Sequence, residues 1–299
     1  MKAPRHLYWV LLAGMICTAS SSILVRWVSG EAAGLTVATY RTALAVLFLL
    51  PFVPNARDEL RRLPKREWLA LGFSGVMLGL HFVTWISSLY YTSVASSTVL
   101  VTTSPIFLAL VGFFFFKEHL SRRTVIGIVL GMCGAAVLAY GDSGDRQFPQ
   151  AAWGNALALM GMFTVSGYML TGRYVRKRGL SWLAYVFPVY SGAALVILVF
   201  ALVTGAKLAV SWHVVFICAL MALGPQLAGH GSVNYAVKYL PPAFVSLLIL
   251  TEPVLASTMA FLIWGEKPST SALVGMGIVL FAVILAMTAE KQPSEASAA

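Results

Sequence analysis

The chain has 299 residues, 59% of them hydrophobic and 11% charged, with a mean hydropathy of +0.82. That balance excludes an ordinary soluble domain. A net charge of +10 raises a nucleic-acid partner, but the basic residues sit in the short segments between long apolar runs, so no nucleic acid is expected.

A bilayer core takes about 20 apolar residues per helix. Runs of that kind lie at 7–28, 35–53, 68–89, 92–116, 122–140, 152–173, 181–204, 212–235, 240–264 and 269–289. They lack the two-residue alternation of barrel strands, so the predicted fold class is an all-α polytopic membrane protein with ten transmembrane helices. With the N-terminus inside, 16 of the 21 lysines and arginines fall in inside segments, most of them at 57–66, 117–123 and 173–178. Only Arg26, Arg146, Lys207 and Lys267 fall outside. This bias predicts a multi-pass protein of the cell inner membrane with both termini cytoplasmic. Cys17, Cys133 and Cys218 lie inside apolar spans, which points to neither a disulfide framework nor a metal site. The start MKAPRH resembles a signal peptide, but a 22-residue first run followed by nine more predicts a retained anchor.

Span 1 carries a hydroxyl-rich patch at 18–22 and Arg26 at its outer end; the patch serves either helix packing or a wet cavity. Span 2 holds Tyr40 and Arg41, the arginine either snorkelling outward or facing the bundle interior. Residues 54–67 are predicted as a surface hairpin against anionic headgroups. In span 3, His81, Trp85 and Ser88 share one helical face, lining a cavity or bonding a neighbouring helix. Span 4 has Pro105 near its centre, behind Thr102, Thr103 and Ser104, and a kink is expected there. Gly127 and Gly131 in span 5 permit close helix contact, weakly indicating an interface between copies.

Span 6 places Met160, Thr164, Tyr168 and Thr171 on one stripe, for packing or for binding. Span 7 carries Pro188 and Tyr190. Span 8 is the least regular: Pro225 lies among Gly224, Gly229 and Gly231, while Gln226, His230 and Asn234 share a face. Span 9 contains Glu252-Pro253 near its middle. Residues 290–299 are predicted as a disordered tail.

The halves are related. Shifted by 148 positions, Tyr91, Ala95, Leu100, Thr103, Pro105, Phe113, Glu118, Ser121 and Gly127 fall on identical residues of the second half. Five spans separate the copies, an odd number, so 1–146 and 147–289 are predicted to form two inverted five-helix repeats. A shift of 149 sets Gln226, His230 and Asn234 on Met77, His81 and Trp85. Pro105, Pro225 and Pro253 are the expected kinks, and interrupted helices in corresponding places mark a transporter's binding site.

These residues resemble the drug/metabolite transporter superfamily, and within it the ten-span EamA family, over 7–288. The resemblance rests on Ala38-Thr-Tyr-Arg41-Thr-Ala, on Leu89-Tyr-Tyr-Thr-Ser-Val-Ala with Pro105 and Lys117-Glu118, and on Leu250-Thr-Glu252-Pro253-Val-Leu-Ala with Trp264-Gly-Glu266-Lys267. It implies a basket in which spans 1–4 and 6–9 surround a central cavity and spans 5 and 10 lie outside. Lys117 departs from the glycine more usual at its place. The aromatic faces make the chain similar to exporters of aromatic amino acids.

The expected function is export of small metabolites, amino acids with large apolar side chains first, by alternating access. The alternative is proton-coupled export of drugs or other metabolites, with Glu252 exchanging a proton for substrate or serving only as a structural acceptor beside Pro253. Candidate substrate contacts are Tyr40, Arg41, His81, Trp85, Met160, Thr164, Tyr168, Gln226, His230, Asn234 and Glu252. Partners are a small-molecule substrate and the lipid bilayer, with the chain as a monomer. HExxH, Gly-rich phosphate loops and nucleophile elbows are missing, so neither an enzyme nor a cofactor or metal is expected.

Overall fold

Where no water can satisfy peptide groups, an apolar run satisfies its own by coiling into a helix. The computed structural model is accordingly helical, with no strand among the described residues. It describes residues 3–28, 30–92, 97, 100–101, 103–117, 119–141, 149–265 and 268–290. Thr102, Glu118, Asp142, Asp145, Glu266 and the tail from 291 lie outside that set.

The long helices are α1 (Leu7–Val28), α2 (Gly34–Leu49), α3 (Lys65–Tyr91), α4 (Ser104–Phe116), α5 (Arg122–Gly141), α6 (Ala151–Lys177), α7 (Trp182–Val203), α8 (Trp212–Ala236), α9 (Pro242–Trp264) and α10 (Thr270–Glu290). Seven are long and apolar enough to cross a membrane: α1, the stretch Gly34–Arg61 that begins with α2, Lys65–Ser88 of α3, α7, α8, α9 and Thr270–Thr288 of α10. The chain is a multi-pass membrane protein.

Two helices depart from regularity where the sequence predicts it. α8 passes through a nine-residue π-helical stretch, Ala222–His230, with Pro225 inside it. Proline has no N–H and its ring crowds the preceding turn, so the backbone widens around it. α9 is broken at Leu250, between Pro242–Ile249 and Thr251–Trp264. Pro253 therefore falls in the first turn of a new half-helix, where its missing donor would be unpaired in any case. The same holds for Pro105, which starts α4 rather than kinking the centre of a longer helix. Thr103 donates to the Leu100 carbonyl at 2.7 Å, and its counterpart Thr251 donates to Leu248 at 2.7 Å, so both breaks are closed alike. Both half-helices also end on a left-handed residue, Lys117 (φ 52°) and Gly265 (φ 69°).

Helix α5 lies along α10, α3 along α6 and α7, and α1 along α8 and α9. Helix α2 packs on α7 and α8, and α4 on α9 and α6. Gly75 sets the α3–α7 crossing: a Cβ there would stand 2.9 Å from the Val189 carbonyl oxygen and 3.1 Å from Gly192 Cα. Gly127 and Gly131, read as an interface between copies, are used within the chain. Gly127 lies under the Ala282 carbonyl of α10 and Gly131 against Leu247 and Leu250 of α9.

Two further expectations are corrected. Residues 54–67 form no hairpin. A 3-10 stretch, Leu50–Ala56, carries Pro51 and Pro54, and the short helix Arg57–Arg61 follows it. Glu59 accepts from the Ser181 amide at 2.6 Å and Glu67 from Arg178 Nε at 3.0 Å, which ties this segment to the α6–α7 turn. Arg173 and Arg176, counted among loop charges, are buried because α6 runs on to Lys177. Arg173 donates to the Val237 and Leu240 carbonyls, and Arg176 to those of Asn234 and Leu180. They occupy backbone acceptors around the end of α8 that lack helical partners.

Candidate functional site

Arg41 is the residue around which the polar interior is arranged. It stands on α2, buried to 5% exposure, so neither of its ends reaches water by snorkelling. Its Nε and Nη2 donate to Gln226 Oε1 at 3.0 and 2.8 Å, and Nη1 makes a long bond to Ser21 Oγ at 3.4 Å. The guanidinium carbon lies 4.7 Å from the Phe82 ring centroid. An isolated buried guanidinium costs several kcal/mol, on the order of its lost hydration. A two-donor fork on one amide oxygen plus an aromatic face offsets much of that.

Gln226 reaches Arg41 from the π-helical part of α8, where the widened turn leaves side chain and backbone available together. Its own carbonyl accepts from Tyr190 Oη of α7 at 3.0 Å. Its Nε2, fully buried, has no hydrogen-bond partner among the described residues. One helical turn on, the His230 and Phe82 rings meet edge to face, with centroids 5.6 Å apart. Asn234 Oδ1 accepts from Tyr168 Oη at 2.5 Å, and Asn234 Nδ2, also buried, makes no hydrogen bond of normal geometry among the described residues. Buried donors without acceptors are rare and costly, by about 1–3 kcal/mol each.

From α3, His81 Nδ1 lies 2.9 Å from the Gly161 carbonyl of α6. That acceptor fixes the proton on Nδ1. The imidazole stacks on Trp85 at 6.2 Å, nearly coplanar at 4°. His81 thus bonds a neighbouring helix, the second of its two expected roles, and stacks on Trp85. His81, His230 and Glu252 all lie within electrostatic reach of Arg41. Glu252 stands in the first turn of the second half-helix of α9, half-buried, and makes no hydrogen bond or ion pair with any described residue.

The structure therefore brings Arg41, His81, Trp85, Tyr168, Gln226, His230, Asn234 and Glu252 into one interior region. Three other candidates are placed differently. Tyr40 donates to the Leu208 carbonyl at 2.8 Å, near the loop between α7 and α8. The Thr164 hydroxyl is spent on the Met160 and Gly161 carbonyls of its own helix, and the Met160 side chain is exposed. Phe82, Ser21 and Tyr190 complete the site. Phe82 carries no sequence signal, being one apolar residue in an apolar run.

A separate groove of about 260 Å³ lies between α1, α7 and α8, lined by Val10, Trp182, Leu227, Ala228, Gly231, Ser232 and Tyr235. It has no charged side chain and shares no residue with the polar region. The interior region is the stronger candidate for a polar metabolite because it holds the unpaired donors and the charges.

Comparison with known proteins places the chain by fold and family. A solved crystal structure superposes with a TM-score of 0.80 over 97% of this chain and 100% of its own, at 14% identity, which establishes a shared fold. An uncharacterized transporter of Archaeoglobus fulgidus is 25% identical, covering 97% of this chain and 99% of its own. The uncharacterized transporter YdfC of Bacillus subtilis is 26% identical, covering 81% and 78%. A probable terminal-alkyne amino-acid exporter of Streptantibioticus cattleyicolor is 27% identical, covering 93% and 92%. The EamA-like transporter family matches twice, over residues 6–140 and again over 152–288. With both halves matched, the chain belongs to the EamA-like transporter family, and it is a membrane transporter.

Proposed function

We propose that this transporter exports small metabolites, amino acids with large apolar or aromatic side chains first among them, across the cell inner membrane. Ten membrane helices in two inverted five-helix repeats carry it between inward- and outward-open states, with both termini cytoplasmic. The observation that carries the reading is the exchange pattern of the packing. When the repeats trade places, α3–α6 becomes α8–α1, α3–α7 becomes α8–α2, and α4–α6 becomes α9–α1; all six contacts are present. The pairs α2–α7, α4–α9 and α5–α10 map onto themselves. A twofold-related frame has two nearly equivalent packings, which is what alternating access requires. The aromatic surface of Trp85, beside amide, imidazole and charged groups, suits a substrate with an apolar body and a polar head. The amino-acid exporter among the relatives supports the substrate class.

The test is counterflow into proteoliposomes with labelled phenylalanine, tryptophan, methionine and threonine. Exchange of phenylalanine or methionine above protein-free vesicles is expected. Failure of all four to move would remove the amino-acid substrate while leaving the transporter assignment intact.

A further inference from the structure

Two opposite charges inside this bundle are held apart. In the interior, hydrogen bonds from the Arg41 guanidinium go to Gln226 and Ser21, and Glu252 makes no hydrogen bond or ion pair with any described residue. They are joined through α1: Arg41 bonds Ser21 of that helix, and the half-helix that Glu252 heads packs against it. The π-helical stretch of α8 delivers the Gln226 oxygen that clamps Arg41, and the break at Leu250 sets Glu252 at the head of a half-helix, where a negative charge is well placed. Beside the arginine, the fully buried Gln226 Nε2 also has no acceptor among the described residues. A cation with an adjacent unpaired donor, and a carboxyl on a neighbouring half-helix with no hydrogen bond to any described residue, together complement a molecule carrying a carboxylate and an ammonium.

Building on the exporter reading, we infer that the site selects zwitterions: the ligand carboxylate meets Arg41 and Gln226 Nε2, and the ligand ammonium meets Glu252. An amine or an acid of the same shape fills one pole and leaves the other charge uncompensated. The arrangement is specific to one repeat, since the counterpart of Glu252 in the first half is Ser104, whose hydroxyl is bonded to Ser246 at 2.7 Å.

The experiment compares L-phenylalanine, phenethylamine and 3-phenylpropanoate for thermal stabilisation of the purified protein and for inhibition of counterflow. Phenylalanine is expected to act at concentrations at least ten-fold lower than either analogue. In E252Q, phenylalanine should fall to the level of 3-phenylpropanoate, whose own effect should not change. Glu252 makes no hydrogen bond that the amide would break, so E252Q is expected to fold. R41Q should bring phenylalanine down to phenethylamine, and the E252Q result stands alone if R41Q is unstable. Equal action of phenethylamine and phenylalanine on the wild type overturns the inference, as does an equal loss of all three compounds in E252Q. Unchanged selectivity in E252Q with a lost pH dependence also overturns it, assigning the carboxyl to proton carriage. If none of the three acts, the zwitterion site is refuted, and counterflow of another metabolite would then preserve the exporter reading. Absence of any flux would refute both.

Discussion

Replacing Gln226 tests whether its clamp on Arg41 holds the interior together. In Gln226→Leu the amide oxygen that accepts at 3.0 and 2.8 Å is lost. Hydrogen bonds to a charged group contribute about 1.5–3 kcal/mol each, and losing the unpaired Nε2 offsets about 1–3 kcal/mol. The Phe82 face and the long Ser21 bond remain, so the net loss of stability should be about 3 kcal/mol. Gln226→Glu keeps the oxygen that accepts both bonds and adds a charge, so it should be at least as stable as the wild type. Its transport should nevertheless fall ten-fold or more, because Arg41 is then neutralised by the protein. Unfolding of the purified protein in detergent, followed beside counterflow, separates the two effects. A Gln226→Leu protein as stable as the wild type would refute the clamp, as would a Gln226→Glu protein less stable than Gln226→Leu.

Gly75→Ala puts a methyl against backbone atoms that cannot turn aside and should destabilise by about 1–2 kcal/mol, whereas Gly72→Ala on the same helix meets nothing within 4 Å and should be neutral or stabilising in the same melt. Lys117→Gly relieves a left-handed backbone at the end of α4 and should add about 1 kcal/mol of stability in detergent unfolding. In the loop after α1, bonds from Ser211 (2.9 Å) and His213 (2.9 Å) hold the Glu31 carboxyl below the usual carboxylate range. A depressed value in the folded state means the contribution is present above the ordinary carboxylate pKa and is lost as pH falls through the folded value. The small advantage of wild type over Glu31→Gln should therefore be seen at pH 6 and shrink in melts at progressively more acid pH.

The helical class, the site's main side chains and the irregular spans were legible because each rests on local chemistry. Length and apolarity dictate helices, and Pro225 among three glycines dictates the weak stretch of α8. Polar residues inside an apolar span announce themselves. What stayed hidden depends on distance between segments. Nothing in the sequence says that Arg173 and Arg176 bend inward to the end of α8, because a positive residue at a helix end reads as a loop charge. The role of Phe82 needs Arg41 in place before it exists. Tyr40 and Arg41 are neighbours in sequence, but successive helical residues point about 100° apart, so one faces the interior and the other the α7–α8 loop. The glycine pair at 127 and 131 signals close approach without naming the partner, and the partner is in the same chain.

The two proline breaks divide the labour of the fold. Thr103-Ser104-Pro105 and Thr251-Glu252-Pro253 share the threonine bond, the half-helix start at the proline and the left-handed end. Those shared features belong to the frame, since the alternating access proposed above needs equal hinges on both sides. The middle residue is where the halves differ. Ser104 closes onto Ser246 and leaves nothing to bind. Glu252, at the same place in the other half, has no such partner and shares the field of Arg41. On the proposed mechanism, symmetric positions govern movement and the asymmetric one governs recognition. It follows that Pro105→Ala and Pro253→Ala should slow exchange of every substrate to a similar degree, whereas Glu252→Gln should change which substrates are exchanged.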